Sequence, residues 1–191
     1  GRRVSADWTY TTATVGAPPQ PSLSYKFDGP DLVLNWSATR GEFPISEHRI
    51  YRDGELVDSS KTTTYRTKAD WGGAEHWGVS TIDVAGNEGP IAATEIVIES
   101  PSVAQKPAQV IDNNVMLRWT GTRGSLPIER YAIRKGEQEA DSVEGTFSTI
   151  FETDSGTYVY TVVPIDTAGN EGAGDSRSVF VNQPPDFVLQ N

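Results

Sequence analysis

The amino-acid sequence predicts an all-β protein built as two β-sandwiches in series, and three observations predict it. Short segments alternate apolar and polar residues with a period of two, turn signals separate them, and no segment sustains a helical period. The pattern then recurs at a fixed offset: Trp36 and Trp119, Arg40 and Arg123, Pro44 and Pro127, Ile50 and Ile133, and Asp83 and Asp166 all stand 83 residues apart. The register holds from Leu32 to Gly89 without net insertion, the mark of one unit copied in tandem.

The same offset reaches the chain ends. Pro18, Pro101 and Pro184 keep it, as do the apolar residues Val15, Ile98 and Val181 before them. Residues 1–16, with "DWTYTTATVG", therefore read as the last strand of a preceding copy, 17–100 and 101–184 as two complete domains, and 185–191 as the exit to a following segment. The chain reads as an excerpt from a longer protein.

Within each repeat the strands can be taken in order. "LVLNW" and "VMLRW" place Leu32, Leu34 and Trp36, and Val115, Leu117 and Trp119, on one face of a half-buried strand. "HRIYR" and "YAIRK", then "HWGVSTID" and "VYTVVPID", then "TEIVIE" and "SRSVFV" continue the alternation. Asp53-Gly54, Gly72-Gly73 and Asp154-Ser155-Gly156 punctuate it at the spacing of a sandwich. An odd number of strands, about seven, carries a chain from one pole of such a sandwich to the other. The short joints Gly16-Ala17-Pro18-Pro19 and Glu99-Ser100-Pro101 are stiffened by proline.

Composition bounds the function. With 26 acidic against 16 basic side chains the net charge is −10, which opposes binding to nucleic acid or to an anionic membrane surface. The absence of cysteine excludes disulfides and thiolate metal sites. No apolar run approaches the roughly 18 residues of a membrane span, so no membrane insertion is expected.

The inward Trp119, the stretch Pro127-Ile128 with Tyr131 and Ile133, and the late strand with Tyr158, Tyr160, Val162 and Asp166 resemble the fibronectin type III domain. The resemblance covers residues 18–184 and implies tandem fibronectin type III-like, immunoglobulin-like sandwiches. The first repeat departs from it twice, with His48 in place of a third-strand tyrosine and Glu75 in place of the corner tyrosine. A looser, wetter corner is expected at Glu75. Pro164, which has no N–H, is expected at a strand end or beside an unpaired edge. The ends, "TATVGAPP" and "VNQPPDFVLQN", are similar to junctions in tail-tip and host-attachment proteins of tailed bacteriophages. That second resemblance implies a virion protein, homotrimeric in the full assembly.

Two kinds of candidate site stand out. The twin heptapeptides "DVAGNEG" (Asp83–Gly89) and "DTAGNEG" (Asp166–Gly172) each gather two carboxylates and an amide around a glycine. Three oxygens are too few for a calcium ion, which takes six to eight. The better reading is a hairpin turn, with Gly86 and Gly169 at positive φ, Asn87 and Asn170 tolerating a left-handed backbone, and the aspartates bracing the bend. Trp71, Phe43, Tyr51 and Tyr65 are candidate surface-contact aromatics, able to stack on a sugar or anchor a partner. Against that, sandwich ends need covering, and core edges also take aromatics.

Neither His48 nor His76 has a histidine counterpart in the other repeat, and neither nucleophile elbows nor phosphate loops occur. No catalytic, cofactor or metal residue is expected, and the chain is not expected to be an enzyme. "NWS" at Asn35–Ser37 lies mid-strand beside a core tryptophan and is read as chance, not as a glycosylation acceptor. The function expected is a structural and adhesion module of a phage tail, acting as a spacer with host contact as a further role. Its partners would be other tail-tip proteins and a host receptor or glycan. Spacer modules of a secreted bacterial polysaccharide-degrading enzyme, suggested by the "AGN" turns, and a cell-surface adhesin ectodomain are the alternatives.

Overall fold

The computed structural model describes residues 16–70 and 73–182. Among them no helix occurs and fifteen strands follow in chain order. The first repeat supplies β1 (Ser22–Asp28), β2 (Asp31–Ser37), β3 (Ile45–Arg52), β4 (Glu55–Ser60), β5 (Thr64–Lys68), β6 (Ala74–Asp83) and β7 (Ala92–Val97). The second supplies β8 (Ser102–Gln105), β9 (Gln109–Ile111), β10 (Asn114–Thr122), β11 (Ile128–Lys135), β12 (Gln138–Val143), β13 (Phe147–Phe151), β14 (Gly156–Asp166) and β15 (Asp175–Val181). The strand read from "DWTYTTATVG", the exit at 185–191 and Trp71 lie outside the described residues.

Each repeat makes the same two sheets from the same sequence addresses. In the first the orders are β1-β2-β5 and β4-β3-β6-β7; in the second they are β8-β10-β13, with β9 also on β10, and β12-β11-β14-β15. These are the tandem fibronectin type III-like sandwiches that the sequence implies. The extra strand of the second repeat has a local cause. Where β1 runs unbroken, Lys106-Pro107-Ala108 separates β8 from β9, and the missing N–H of Pro107 interrupts pairing along β10.

Turn chemistry follows the residues. Arg52 pairs with Glu55 across Asp53-Gly54, and both turn residues have positive φ, 51° and 85°, as a two-residue hairpin of this hand requires. A β-bulge falls between Ile50 and Tyr51 and again between Ile133 and Arg134, the same address in both copies.

The alternation read from sequence becomes the core. Val115, Leu117 and Trp119 of β10 meet Tyr131 and Ile133 of β11, Tyr160 and Val162 of β14, and Val179 and Val181 of β15. Trp119 and Tyr131 cross edge to face, ring centroids 5.4 Å apart at 61°. In the first repeat His48 takes the tyrosine's place, 5.4 Å from Trp36 at 72°. Burial lowers the His48 pKa and so favours the neutral imidazole, whose Nδ1 lies 3.1 Å from Thr81 Oγ1.

The exchange at His48 is part of a triplet. Tyr131 fits because Gly121 beside it has no side chain: a Cβ there would lie 2.9 Å from the Tyr131 Cζ and still closer to its hydroxyl. The matching position in the first repeat is Ala38, which carries a methyl group, and the shorter histidine stands at the tyrosine's address. Thr81 supplies the hydroxyl that the histidine needs, whereas its counterpart Pro164 cannot donate.

Pro164 lies within β14, paired to Tyr131 of β11. On its other side the ladder to β15 has ended at Val162, and the Pro164 carbonyl accepts from Gly172 N at 2.8 Å. The absent N–H therefore falls beyond the paired edge, as expected.

The corner tyrosine forms in the second repeat, where the Tyr158 hydroxyl donates to the Asp154 carbonyl at 2.9 Å. The wet corner expected at Glu75 does not form, for Glu75 is only 6% exposed. The reason lies in neighbouring addresses. The second repeat buries Glu152, which accepts from Lys135 Nζ at 2.8 and 3.0 Å and from the Tyr160 hydroxyl. Burial and the Glu152 carboxylate together push the Tyr160 hydroxyl far above its ordinary pKa. In the first repeat the matching residues are Ala69, Arg52 and Trp77, with the Arg52 guanidinium 5.5 Å over the Trp77 ring. Across these addresses each copy carries one buried carboxylate and one cation, and the carboxylate has moved from the Glu152 position to the Tyr158 position.

Candidate functional site

The heptapeptides stand at one structural address, the turn that follows β6 and β14. Asp83 Oδ1 accepts from the amides of Ala85 and Asn87, each at 2.9 Å, and Oδ2 accepts from Asn87 Nδ2 at 2.9 Å. Asp166 repeats the set with Ala168 N at 2.9 Å, Asn170 N at 3.0 Å and Asn170 Nδ2 at 3.0 Å. Gly86 and Gly169 turn the chain at φ 85° and 84°. Burial alone would raise the Asp83 pKa, but hydrogen bonds from the Asn87 side chain and from the amides of Asn87, Ala85 and Gly86 hold it below the ordinary value.

One expectation needs correction. Among the described residues other than glycine, only Asp53, Asp112 and Asn113 have positive φ, so Asn87 and Asn170 are not left-handed. Their role is the side-chain amide, which locks the far carboxylate oxygen.

The glutamate of each heptapeptide folds back over the sheet. Glu88 accepts from Arg49 at 2.6 Å and from the hydroxyls of Tyr51 and Ser80 at 2.5 Å. Burial opposes ionisation of Glu88, yet Ser80, Tyr51 and Arg49 outweigh it and lower the pKa. In the second copy Glu171 meets Arg134, which occupies the Tyr51 address, at 2.5 Å.

The closing glycine completes the device. A Cβ on Gly89 would overlap the Pro18 carbonyl, and one on Gly172 would stand 2.7 Å from the Pro101 carbonyl carbon. Every oxygen of the twin Asp carboxylates that could serve a cation already accepts from an N–H, and the glutamates point at the sheet. Among the described residues no cluster of three or more histidine, aspartate or glutamate side chains could hold a metal ion.

Among the described residues, the candidate aromatics Phe43, Tyr51 and Tyr65 stand at separate places in the fold. Tyr51 is half-buried and engaged with Glu88. Tyr65 is half-buried with its ring 6.0 Å from Trp77, closing the edge of the core. Phe43 is half-buried in the bend before β3, and Trp71 lies outside the described residues. His76 is exposed, with its Nδ1 3.7 Å from Asp53, and His48 is a core residue.

The aromatic surface that sequence reasoning missed is on β13. Phe147 and Phe151 are 45% and 62% exposed, while Ser148 between them is buried. The signal was available in the alternation of "FSTIF", whose register with β10 sends both phenylalanines to the side away from Leu117 and Trp119.

No family model matches the chain, and no curated protein matches it in sequence. Solved structures do. Fibronectin(III)-like modules of Clostridium thermocellum CbhA are 17% identical, with 90% of this chain and 93% of that chain covered and a TM-score of 0.41. A segment of two fibronectin type III domains from chicken tenascin is 12% identical, with coverage of 87% and 100% and a TM-score of 0.39. The central fibronectin-III array of RIM-binding protein is also 12% identical, covering 89% and 98% at a TM-score of 0.34. At these values the likeness carries no inference about function.

Proposed function

We propose that the chain is a structural and adhesion module of a bacteriophage tail-tip or host-attachment protein, with domains at 17–100 and 101–184. It acts as a spacer within the virion tail and offers surface to the host. One observation carries the spacer reading: what the two copies share is architecture. The braced Asp83 and Asp166 turns, the pinned Glu88 and Glu171, and the inward Trp36 and Trp119 recur in register, whereas neither histidine has a counterpart and the buried carboxylate stands at Glu75 in one copy and at Glu152 in the other. A repeat kept for a shared reaction would repeat its reactive groups. The junction "TATVGAPP" supports the placement in a tail tip, where other tail-tip proteins and two further copies of the chain would be partners.

Immunogold labelling of virions with antibody against residues 17–184 tests the reading. Gold at the tail tip is expected, and labelled lysate with unlabelled tails would end it. The "AGN" turns favour a second reading, spacer modules of a secreted polysaccharide-degrading enzyme. A glycosidase carboxylate motif in the flanking sequence would select that reading, and a tail-hub domain the first.

A further inference from the structure

The twin heptapeptide turns differ at one bond. Asn87 Nδ2 donates to Asp83 within its own turn. Asn170 Nδ2 donates to Asp166 at 3.0 Å and also to the Ala69 carbonyl at 3.0 Å, 101 residues back along the chain. A side-chain amide carries two N–H groups in one plane, so the Asp166 oxygen that takes the first fixes where the second points.

Ala69 follows β5 and is wholly buried. Its own N–H donates to the Pro30 carbonyl at 2.9 Å, so the backbone at this residue is held on both sides, by Pro30 from within the first repeat and by Asn170 from the second. A buried carbonyl needs such a donor, because without one it forfeits the hydrogen bonds it makes in water. The compact units of the chain agree with this bond and not with the repeats: Tyr25–Leu34 and Arg66–Glu75 belong with the second repeat.

The seat of the linker is common to both copies, with Ser125 N donating to the Glu99 carbonyl at 3.0 Å and Glu42 N, at the same address, to the Gly16 carbonyl at 3.3 Å. The Asn170 bond is of another kind. It bypasses the linker and ends on the segment between β5 and β6.

We infer that Asn170 is a clasp, which ties local opening of residues 66–70 to the state of the Asp166 turn. Domains joined by a linker alone open independently of one another. Here the link is reciprocal: opening the turn frees the Ala69 carbonyl, and drawing 66–70 away removes an acceptor from the Asn170 amide. The clasp goes beyond the spacer reading and holds whichever larger assembly the chain serves.

Amide hydrogen exchange of the whole chain, followed by NMR, tests it. Asn170→Ala should speed exchange of the Ala69 amide about fivefold to tenfold, the equivalent of one net hydrogen bond, while the Trp36 amide, bonded to the Thr63 carbonyl at 3.0 Å, keeps its rate. Asn87→Ala, which removes the same brace from the other turn, should leave the ratio of the Ala69 and Trp36 rates as in wild type. Ala69→Pro approaches from the opposite side and decides the matter even where Asn170→Ala unfolds the second repeat. It breaks the bond to Pro30, and the Ala168 amide, bonded to Asp166 at 2.9 Å, should then exchange faster. The inference is overturned by an Ala69 rate indifferent to Asn170→Ala, by an equal rise at Trp36, by the same change of ratio in Asn87→Ala, or by an Ala168 amide indifferent to Ala69→Pro.

Discussion

Removing one carboxylate from a heptapeptide should cost far more than removing the other. Asp166 is 1% exposed and satisfies three donors, the amides of Ala168 and Asn170 and the Asn170 side chain. Asp166→Ala strands the amides of Ala168 and Asn170, while the Asn170 side chain keeps the Ala69 carbonyl as acceptor, and each buried donor left without an acceptor costs about 1–3 kcal/mol. Allowing the turn to open and admit water to some of them, the loss is about 3 kcal/mol or more.

Glu171 holds one arginine, with side chains 32% and 48% exposed for Arg134 and Glu171, so screening leaves Glu171→Ala within about 1 kcal/mol of wild type. Urea unfolding followed by tryptophan fluorescence reads the difference. At about 1–3 kcal/mol per molar of urea, the second repeat's midpoint should fall by about 1–3 M for Asp166→Ala and barely move for Glu171→Ala. Equal shifts for the two variants would mean that the bracing hydrogen bonds do not stabilise the turn.

The other predictions use the same measurement. His48→Tyr should destabilise the first repeat by about 1–3 kcal/mol through overpacking against Ala38, and Ala38→Gly should recover much of the loss in the double variant; no recovery would refute the triplet. Gly172→Ala should destabilise more than Gly169→Ala. The first drives a Cβ into the Pro101 backbone, and the second meets nothing within 4 Å and bears only the left-handed penalty of about 1–2 kcal/mol. His48 is depressed by burial, so the unfolded chain binds a proton that the folded one resists. The first repeat should therefore be fully stable above the unfolded pKa of about 6.5 and lose stability as pH falls below it. Urea midpoints at pH 7.5 and 5.5 should diverge for wild type and less for His48→Gln.

Legibility in the sequence followed physical range. The alternation of Leu32, Leu34 and Trp36 is written in adjacent residues, and the strand it predicts is β2. The braced aspartate was legible because a turn is closed within four residues. Glu75 was misread because its environment depends on a distant exchange: Ala69 stands at the Glu152 address, and only the pair of positions shows where the carboxylate went. The pinning of Glu88 needed β3 and β6 side by side, bringing Arg49, Tyr51 and Ser80 to one glutamate. Placing Phe147 and Phe151 needed the register with β10, which fixes the side of the strand they occupy.

The carbonyl seat under each closing glycine bears on how the chain carries tension. Pro101 O accepts from Ala173 N at 3.2 Å, Ser102 pairs with Ala173 in a parallel bridge, and Glu99 O accepts from Ser125 N at 3.0 Å. A pull arriving along 99–102 is therefore met by contacts on two separate loops of the second repeat before it reaches the β8–β10 ladder. Those contacts lie alongside the incoming strand, so they must slip together instead of unzipping one at a time. In a force–extension record, lengthening the turn at Gly172 by one residue should lower the rupture force of the second repeat more than an equal insertion in the β11–β12 hairpin.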